Sequence, residues 1–322
     1  MPTYQDHSRH SSNVIFDPEV SSEIISKAIE ESCMMQLAPR MEMVANGKKY
    51  QTIVSDPTPE WVAETNAKPV GFFTFGTKTI MPYKMALIVP FSDEFRRDKT
   101  ALYNECVGRL PKLFGKKFDA TVLGTSAPGD GFDVLGSASK ATILADSGNH
   151  IDVYDRFLAV DAAIGAADGI MNGIALAPQG RSIVLGAKDG QGYPIFTPGV
   201  QSGQLGNILG ANVSVKKGVY KAGVAGTPGT PAIVGLAGDF DECAWGAVNS
   251  ITGSISDEAT ITYTDGSDQT VTLNLWQQNM FAVRFEVELG FMVRDINKFV
   301  LLTGNVPAST TTTTTTTTTT GE

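Results

Sequence analysis

The fold is decided by residues 59–98, PEWVAETNAKPVGFFTFGTKTIMPYKMALIVPFSDEFRRD, a segment that changes from a polar arm to a strand and then to the start of a helix. Between residues 46 and 82 no stretch has helical spacing, and prolines repeatedly interrupt regular backbone pairing. Residues 73–80 nearly alternate between apolar and polar types, which predicts a long two-stranded excursion with one apolar face.

The apolar residues of this arm need a partner. Trp61, Phe73 and Phe75 each cost roughly 1.5–3 kcal/mol when they are left in water. A loop of this length within a compact domain is unusual unless it is functional, so we expect an arm that binds a neighbouring subunit. An ordinary antiparallel sheet inside one domain is the alternative.

Length and charge limit the classes of protein. The chain has 322 residues, 42% of them hydrophobic, which is enough for two modest domains or one elaborate one. A net charge of −9 argues against a molecule that binds polyanions over its whole surface, so any contact with nucleic acid must be local. Cys33, Cys106 and Cys243 lie far apart, without a CxxC pair, and are predicted to be reduced and structural.

No signal for export or membrane insertion is found in the sequence. The first 13 residues, MPTYQDHSRHSSN, have no apolar core, and nowhere do 18 apolar residues follow one another. We therefore expect neither secretion nor a membrane partner.

Periodicity and capping predict the remaining elements. A helix is expected from Asp17 to Pro39, and a second helical region over 92–123 that Pro111 kinks or divides. The continuous apolar run at 85–89 predicts a strand that is buried on both faces. Further elements are expected in the second half of the chain: a helix at 152–164, strands at 173–177, 213–215 and 281–289, a hairpin at 260–275, and a strand or helix at 299–302.

The sequence contains no convincing catalytic or cofactor motif. Residues 147–150, SGNH, favour a turn over a catalytic group, because His150 is the only histidine outside the first ten residues. The segments 129–133 and 265–268 place carboxylates beside glycines, but neither has the spacing of a calcium loop. No phosphate-binding glycine motif occurs, so we predict no enzyme, no cofactor and no metal site.

One helical region is locally basic. Its cationic residues are Arg96, Arg97, Lys99, Arg109, Lys112, Lys116 and Lys117. Between Arg96 and Lys117 there are only two acids, Asp98 and Glu105. Such a face can make weak, salt-sensitive contacts with phosphates, or it can pair with acids of a neighbouring subunit.

In order and spacing, the segments together resemble the major capsid proteins of tailed bacteriophages, whose fold is shared with encapsulin shells. The resemblance spans about residues 15–305 and lies in eight stretches: ISKAIEESCMMQLAPRMEM, PEWVAETNAKP, MALIVPFSDEFRRD, KKFDATVLG, KDGQGYPIF, ILGANVSV, GLAGDFDECAWG and NLWQQNMFAVRFEVELGFMVRDINKFVLLTG.

The resemblance implies an α+β, Hong Kong 97-like major capsid fold with an N-terminal arm, an extended loop, a peripheral domain and an axial domain. The expected divisions are 1–16 (N-terminal arm), 17–45 (first helix region), 46–82 (extended loop), 83–139 (peripheral domain with the long helix), 140–270 (axial domain), 271–306 (return to the peripheral domain) and 307–322 (threonine-rich tail).

The resemblance also implies roles and partners. The loop residues Trp61, Phe73, Phe75 and Lys78 would act between subunits, and the basic helical face would point to the lumen and touch packaged double-stranded DNA. The expected function is that of a structural subunit that forms pentamers and hexamers of an icosahedral shell, assembled in the host bacterial cytoplasm and located in the virion. Only about 16 residues precede Asp17, where many members of the family have a scaffolding segment, so we expect either a separate scaffolding protein or an already processed chain, and Met1 favours the former. The resemblance further implies a portal protein and a possible decoration protein.

Two alternatives stay open at the level of the sequence. An encapsulin-like compartment would share the fold but enclose no DNA. A surface adhesin with a threonine-rich stalk would account for residues 310–320 and the hairpin, but would need an export signal. On its own, the threonine run is expected to be an extended, disordered tail.

Overall fold

The computed structural model describes residues 28–304, apart from 56, 65, 99, 145–151, 197–204, 225–229, 249–251, 265 and 267. The predicted N-terminal arm, the start of the first helix at Asp17, the SGNH segment and the threonine tail lie outside these residues.

Five α-helices and fourteen strands lie in the described part of the chain, with the α-helices confined to its first two thirds. After a helical turn at 28–31, the α-helices are α1 (Cys33–Leu37), α2 (Asp93–Asp98), α3 (Thr100–Val122), α4 (Val153–Gly165) and α5 (Pro178–Leu185). The strands are β1 (Arg40–Glu42), β2 (Lys48–Ser55), β3 (Thr74–Ile80), β4 (Tyr83–Ser92), β5 (Ser139–Thr142), β6 (Gly173–Leu176), β7 (Asn212–Val215), β8 (Ile233–Gly238), β9 (Cys243–Ala247), β10 (Thr252–Ser256), β11 (Thr260–Thr264), β12 (Thr270–Asn274), β13 (Met280–Val293) and β14 (Phe299–Thr303). Short 3₁₀ turns lie at Lys217–Val219, Phe240–Glu242 and Ile296–Lys298.

The first sheet is organised by the long strand β13. Its residues 280–289 pair antiparallel with β4, while β10 and β9 pair with its residues 282–286 and 289–293. β1 extends this sheet by pairing parallel to β9. Helix α3 packs on the sheet, where Phe118 lies edge-on to Phe291 and Phe132, with ring centroids 6.0 and 6.3 Å away. These aromatic contacts form the centre of the larger hydrophobic core.

The second sheet has the strand order β5-β14-β8-β6-β7, with parallel pairs at both ends and antiparallel pairs between. Helix α4 buries Phe157, Val160 and Ile164 in a second core that includes residues of this sheet. The strands β9 and β10 pair in the first sheet and β14 pairs in the second, so the expected bounds 140–270 and 271–306 do not follow the sheets.

Most local predictions are confirmed: the helix at 152–164, the strands at 173–177 and 213–215, the hairpin β11–β12 and the long alternating strand. The final segment, 299–302, is a strand. Pro178 follows the end of β6 and is also the first residue of α5. Its fixed φ suits the first turn of a helix.

Two predictions are wrong in detail. The helix expected from Asp17 to Pro39 is interrupted in its described part, because Ser32 separates the helical turn at 28–31 from α1 and is the N-cap of α1. The strand at 85–89 is not buried on both faces: Met85, Leu87 and Val89 pack on the core, but Ile88 on the other face is 47% exposed. Because this face has no covering layer within the described chain, the continuous apolar run does not mark full burial. Of the two effects expected of Pro111, a kink or a division, the division does not occur, since α3 runs from Thr100 to Val122 with its flanking turns anchored in the core.

Candidate assembly interface

The arm is an antiparallel hairpin of β2 and β3, paired from Lys48 with Ile80 to Ile53 with Phe75. This confirms the predicted two-stranded excursion. At its base, Gly47 has a φ of +76°, and a Cβ there would come within 2.5 Å of the Ile80 carbonyl oxygen. Beyond the strands the two limbs stay together, because Gly71 packs so closely on Pro57 that a Cβ would collide with it.

The two faces of the hairpin differ. Tyr50 and Ile80 lie on the face towards the body, and Ile80 is completely buried. On the opposite face Ile53 stands beside Phe75, which is 67% exposed. Phe73 is 53% exposed, and its ring centroid lies 6.5 Å from that of Phe75. The outward face therefore presents adjoining aromatic rings to solvent.

The segment that joins the two strands is also apolar and exposed. Trp61 is fully exposed, and Val70 and Phe72 are about four-fifths exposed. Scattered apolar residues are normal on a protein surface, but a contiguous group of this kind marks a site of interaction. Within the described part of the chain, no layer thus covers the aromatic residues of the arm.

Lys78 differs from the three aromatic residues assigned to the same role. Its ammonium forms a 2.6 Å ion pair with Asp133 and donates a hydrogen bond to the Val293 carbonyl. The same Asp133 carboxylate accepts a 2.7 Å hydrogen bond from the Val293 amide. Lys78 therefore ties the base of the arm to its own subunit.

The basic residues lie on two neighbouring helices. Arg97 is exposed on α2, and Arg96 belongs to the same helix, with its side chain outside the described part. On α3, Lys112 and Lys116 are exposed, while Arg109 forms an ion pair with Glu105 one turn away. The predicted basic face is thus a solvent-exposed stripe of α3.

Lys117 has different surroundings from the rest of this stripe. It lines a groove between α3 and the first sheet, beside Tyr83 and Phe132. Sequence analysis missed this groove, because its walls come from segments far apart in the chain and no local pattern brings them together.

A buried carboxylate was also missed. Asp119 of α3 is inaccessible and accepts hydrogen bonds from the Ser32 hydroxyl at 2.5 Å and from the amides of Cys33 and Met34 at 2.8 and 3.2 Å. It thereby caps the start of α1 from another helix. Burial raises the pKa of Asp119 to about 6, although these three donors act in the opposite direction. One feature of the sequence could have indicated this buried carboxylate: Asp119 directly follows Phe118, a residue of the apolar stripe of α3.

The described cysteines are structural in character. Cys33 and Cys243 are free and buried, and the Cys33 thiol donates to the Ser214 carbonyl at 3.3 Å. Burial raises the pKa of Cys33 to about 12 and also raises the pKa of Cys243. Both thiols are therefore protonated and unreactive at neutral pH.

The described part of the chain offers neither a metal cluster nor a membrane span. Among its residues, no group of three or more histidines, cysteines or acids is placed to hold a metal ion. No helix there is both long and apolar enough to cross a lipid bilayer.

The described chain thus has a two-sheet body, a long helix packed on the first sheet and a projecting arm with exposed aromatic residues. A solved chain from Mycobacterium phage Ogopogo has the same fold, with a TM-score of 0.67 at 17% identity, over 85% of this chain and 92% of that one. The capsid of a native GTA particle, computed with C5 symmetry, gives a TM-score of 0.57 at 14% identity, over 95% of both chains. The fold is the Hong Kong 97-like capsid fold.

The sequence model of the phage capsid family matches residues 13–304, and the chain belongs to this family. The probable major capsid protein gp17 of Mycobacterium phage L5 is 29% identical over 307 residues, which are 91% of this chain and 90% of that protein. These relatives favour a phage capsid over the encapsulin-like compartment and the surface adhesin.

Proposed function

We propose that the chain is the major capsid subunit of a tailed phage and that it forms the pentamers and hexamers of an icosahedral shell around double-stranded DNA. The observation that carries this proposal is the arm, whose aromatic residues are exposed in one subunit and need a neighbour for burial. Membership of the phage capsid family and the name of the L5 relative support it.

The work of such a subunit is binding and not catalysis. The family consists of structural capsid proteins, and we assign no catalytic residue or cofactor to this chain. Shell stability would come from many modest interfaces, and each arm would contribute several kcal/mol, less the cost of ordering the arm on its neighbour.

We assign the parts of the chain to positions in the shell. The hairpin arm of 46–82 lies across the next subunit through Trp61, Phe73 and Phe75. The first sheet with α3 forms the peripheral domain, and the second sheet with its loops forms the axial domain. Exposed apolar residues in the loops of this second part, such as Ile170 and Tyr193, suit contacts near a symmetry axis.

The basic stripe of α3 faces the lumen in this proposal. Lys112 and Lys116 would contact packaged DNA weakly and without sequence preference. The net charge of −9 keeps the rest of the subunit from binding the polyanion tightly.

Further partners follow from this assignment. We infer a separate scaffolding protein, a portal protein and a possible decoration protein, with assembly in the host bacterial cytoplasm and a final location in the virion.

The test compares assembly with folding. We expect the purified chain to form shells that are visible by negative-stain electron microscopy after size-exclusion chromatography. Trp61→Ala and Phe73→Ala should lower the yield of shells while circular dichroism and urea unfolding stay unchanged, since both residues are exposed within the subunit. Thr79→Ala, an exposed polar position of the same hairpin, is the matched control.

Two outcomes would contradict the proposal. One is a wild-type chain that remains a small monodisperse monomer under all assembly conditions. The other is a normal yield of shells from both aromatic variants. Nucleic-acid staining of particles from infected cells separates a DNA-filled capsid from an empty compartment.

A further inference from the structure

A groove of about 410 Å³ lies between α3 and the first sheet. Its walls are largely aromatic and apolar, formed by Tyr83, Met85, Phe118, Phe132 and Leu289. The loop at 126–128 also lines the groove. This volume and lining suit a large apolar side chain.

Two lysines also line the groove. Lys84 lies 3.5 Å from a carboxylate oxygen of Glu286 and 3.6 Å from one of Glu288. Lys117 is exposed, and within the described part of the chain no carboxylate lies within ion-pair distance of it. The groove is therefore apolar inside and carries an uncompensated positive charge at Lys117.

One segment of the arm has the complementary pattern. Trp61 is fully exposed, and both Glu60 and Glu64, which flank it at short spacing, are exposed as well. The other exposed aromatic residues of the arm include Phe72 and Phe73, and neither has an acidic residue next to it in the sequence. Charge complementarity thus distinguishes the Trp61 segment from the remaining apolar surface of the arm.

Trp61 is fully exposed and does not line the groove of its own subunit. Tyr83 follows the base of the arm, three residues after the end of β3. The seven residues of β3 extend roughly 20 Å, and Trp61 belongs to the segment beyond their far end. Trp61 is therefore open to contact with the groove of another copy.

We propose that Trp61 of one subunit inserts into the groove between α3 and the first sheet of its neighbour, with Glu60 and Glu64 facing Lys117 and Lys84. This inference rests on the proposed function, since it names the place where the arm binds. It removes Lys117 from the residues that contact DNA and makes it part of the contact between subunits.

Photocrosslinking tests the location directly. Benzoylphenylalanine in place of Val62 leaves Trp61 intact and puts the reactive group beside it. After irradiation of assembled shells, mass spectrometry should find this position joined to peptides of another chain that contain residues 83–85 or 117–132. Crosslinks elsewhere on the neighbour, or none from assembled shells, would overturn the groove as the docking site. The proposed function would survive that result, whereas it would fail if the wild-type chain formed no shells.

Charge reversal tests the electrostatic part. Lys117→Glu should raise the subunit concentration needed for assembly by roughly tenfold or more. Lys140→Glu, a reversal at an exposed lysine of β5 outside the groove, should leave it unchanged. Adding Glu60→Lys and Glu64→Lys to the Lys117→Glu chain should restore assembly in part. Equal effects of the two single reversals, with no recovery in the triple variant, would refute the pairing.

Discussion

Replacing Asp119 by asparagine should lower the free energy of unfolding of the subunit by about 2–4 kcal/mol at neutral pH. The carboxylate accepts hydrogen bonds from the Ser32 hydroxyl and from the amides of Cys33 and Met34. The asparagine side chain has only one oxygen that can accept these hydrogen bonds. Its NH₂ group is itself a donor and would face one of the three donors that now bind the carboxylate. At least one buried N–H would then lack an acceptor, and each such group costs about 1–3 kcal/mol.

The loss should also depend on pH. Because the pKa of Asp119 is raised to about 6, the folded protein binds this proton more tightly than the unfolded chain does. The pH-dependent part of the stability that this group contributes, which adds to the hydrogen-bond effect at neutral pH, is therefore complete below its unfolded pKa of about 4 and is lost as the pH rises through about 6. Asparagine does not titrate, so the difference between wild type and variant should be larger at about pH 4.5 than at about pH 7.5.

Urea unfolding of unassembled subunits, followed by circular dichroism, measures both effects. The matched control is Glu105→Gln, the same chemical change on the same helix at an exposed ion pair, which should alter stability by less than about 0.5 kcal/mol. The reasoning would be refuted if both variants lost the same stability. A difference that shrank as the pH was lowered would refute the assigned direction of the pKa shift.

Two further predictions concern α3. Gly115→Ala should destabilise the subunit by about 1–3 kcal/mol, because the added Cβ would collide with the Ala28 carbonyl oxygen, whereas Gly108→Ala, with open space around its Cβ, should stabilise it by up to about 1 kcal/mol. Urea unfolding checks both, and equal effects would contradict the close helix packing. Changing Lys112 and Lys116 together to glutamine should leave assembly intact but weaken binding of a double-stranded DNA fragment. The slope of log affinity against log salt should fall by roughly 0.9 for each phosphate that the variant no longer neutralises, and an unchanged slope would count against a DNA-facing stripe.

Local sequence patterns predicted much of the architecture. Alternation around Phe73 and Phe75 predicted the hairpin arm, and helical spacing predicted α3 and α4, because these periods are properties of the backbone itself. The same patterns failed where burial depends on a neighbouring layer. Ile88 lies in a continuous apolar run but is half-exposed, since β4 has a covered face on one side only.

The candidate site was predictable in part. The three aromatic residues of the arm were identified because apolar side chains in a proline-interrupted segment cannot form a core of their own. Lys78 shares that segment, yet its ion pair with Asp133 depends on a residue 55 positions later in the chain. No periodicity within the arm could have shown that ion pair.

The sequence by itself thus determined that residues 46–82 form an excursion with an apolar face, because prolines and alternation act within a few residues. Only the tertiary structure decided what lies near the base of that excursion. Residues of β4 and of α3, which are far apart in the sequence, line the same groove. Asp119 caps a helix that begins 86 residues earlier. Such contacts are set by the path of the whole chain, in which the packing of distant segments determines which polar groups are buried and which surfaces stay open for a neighbour.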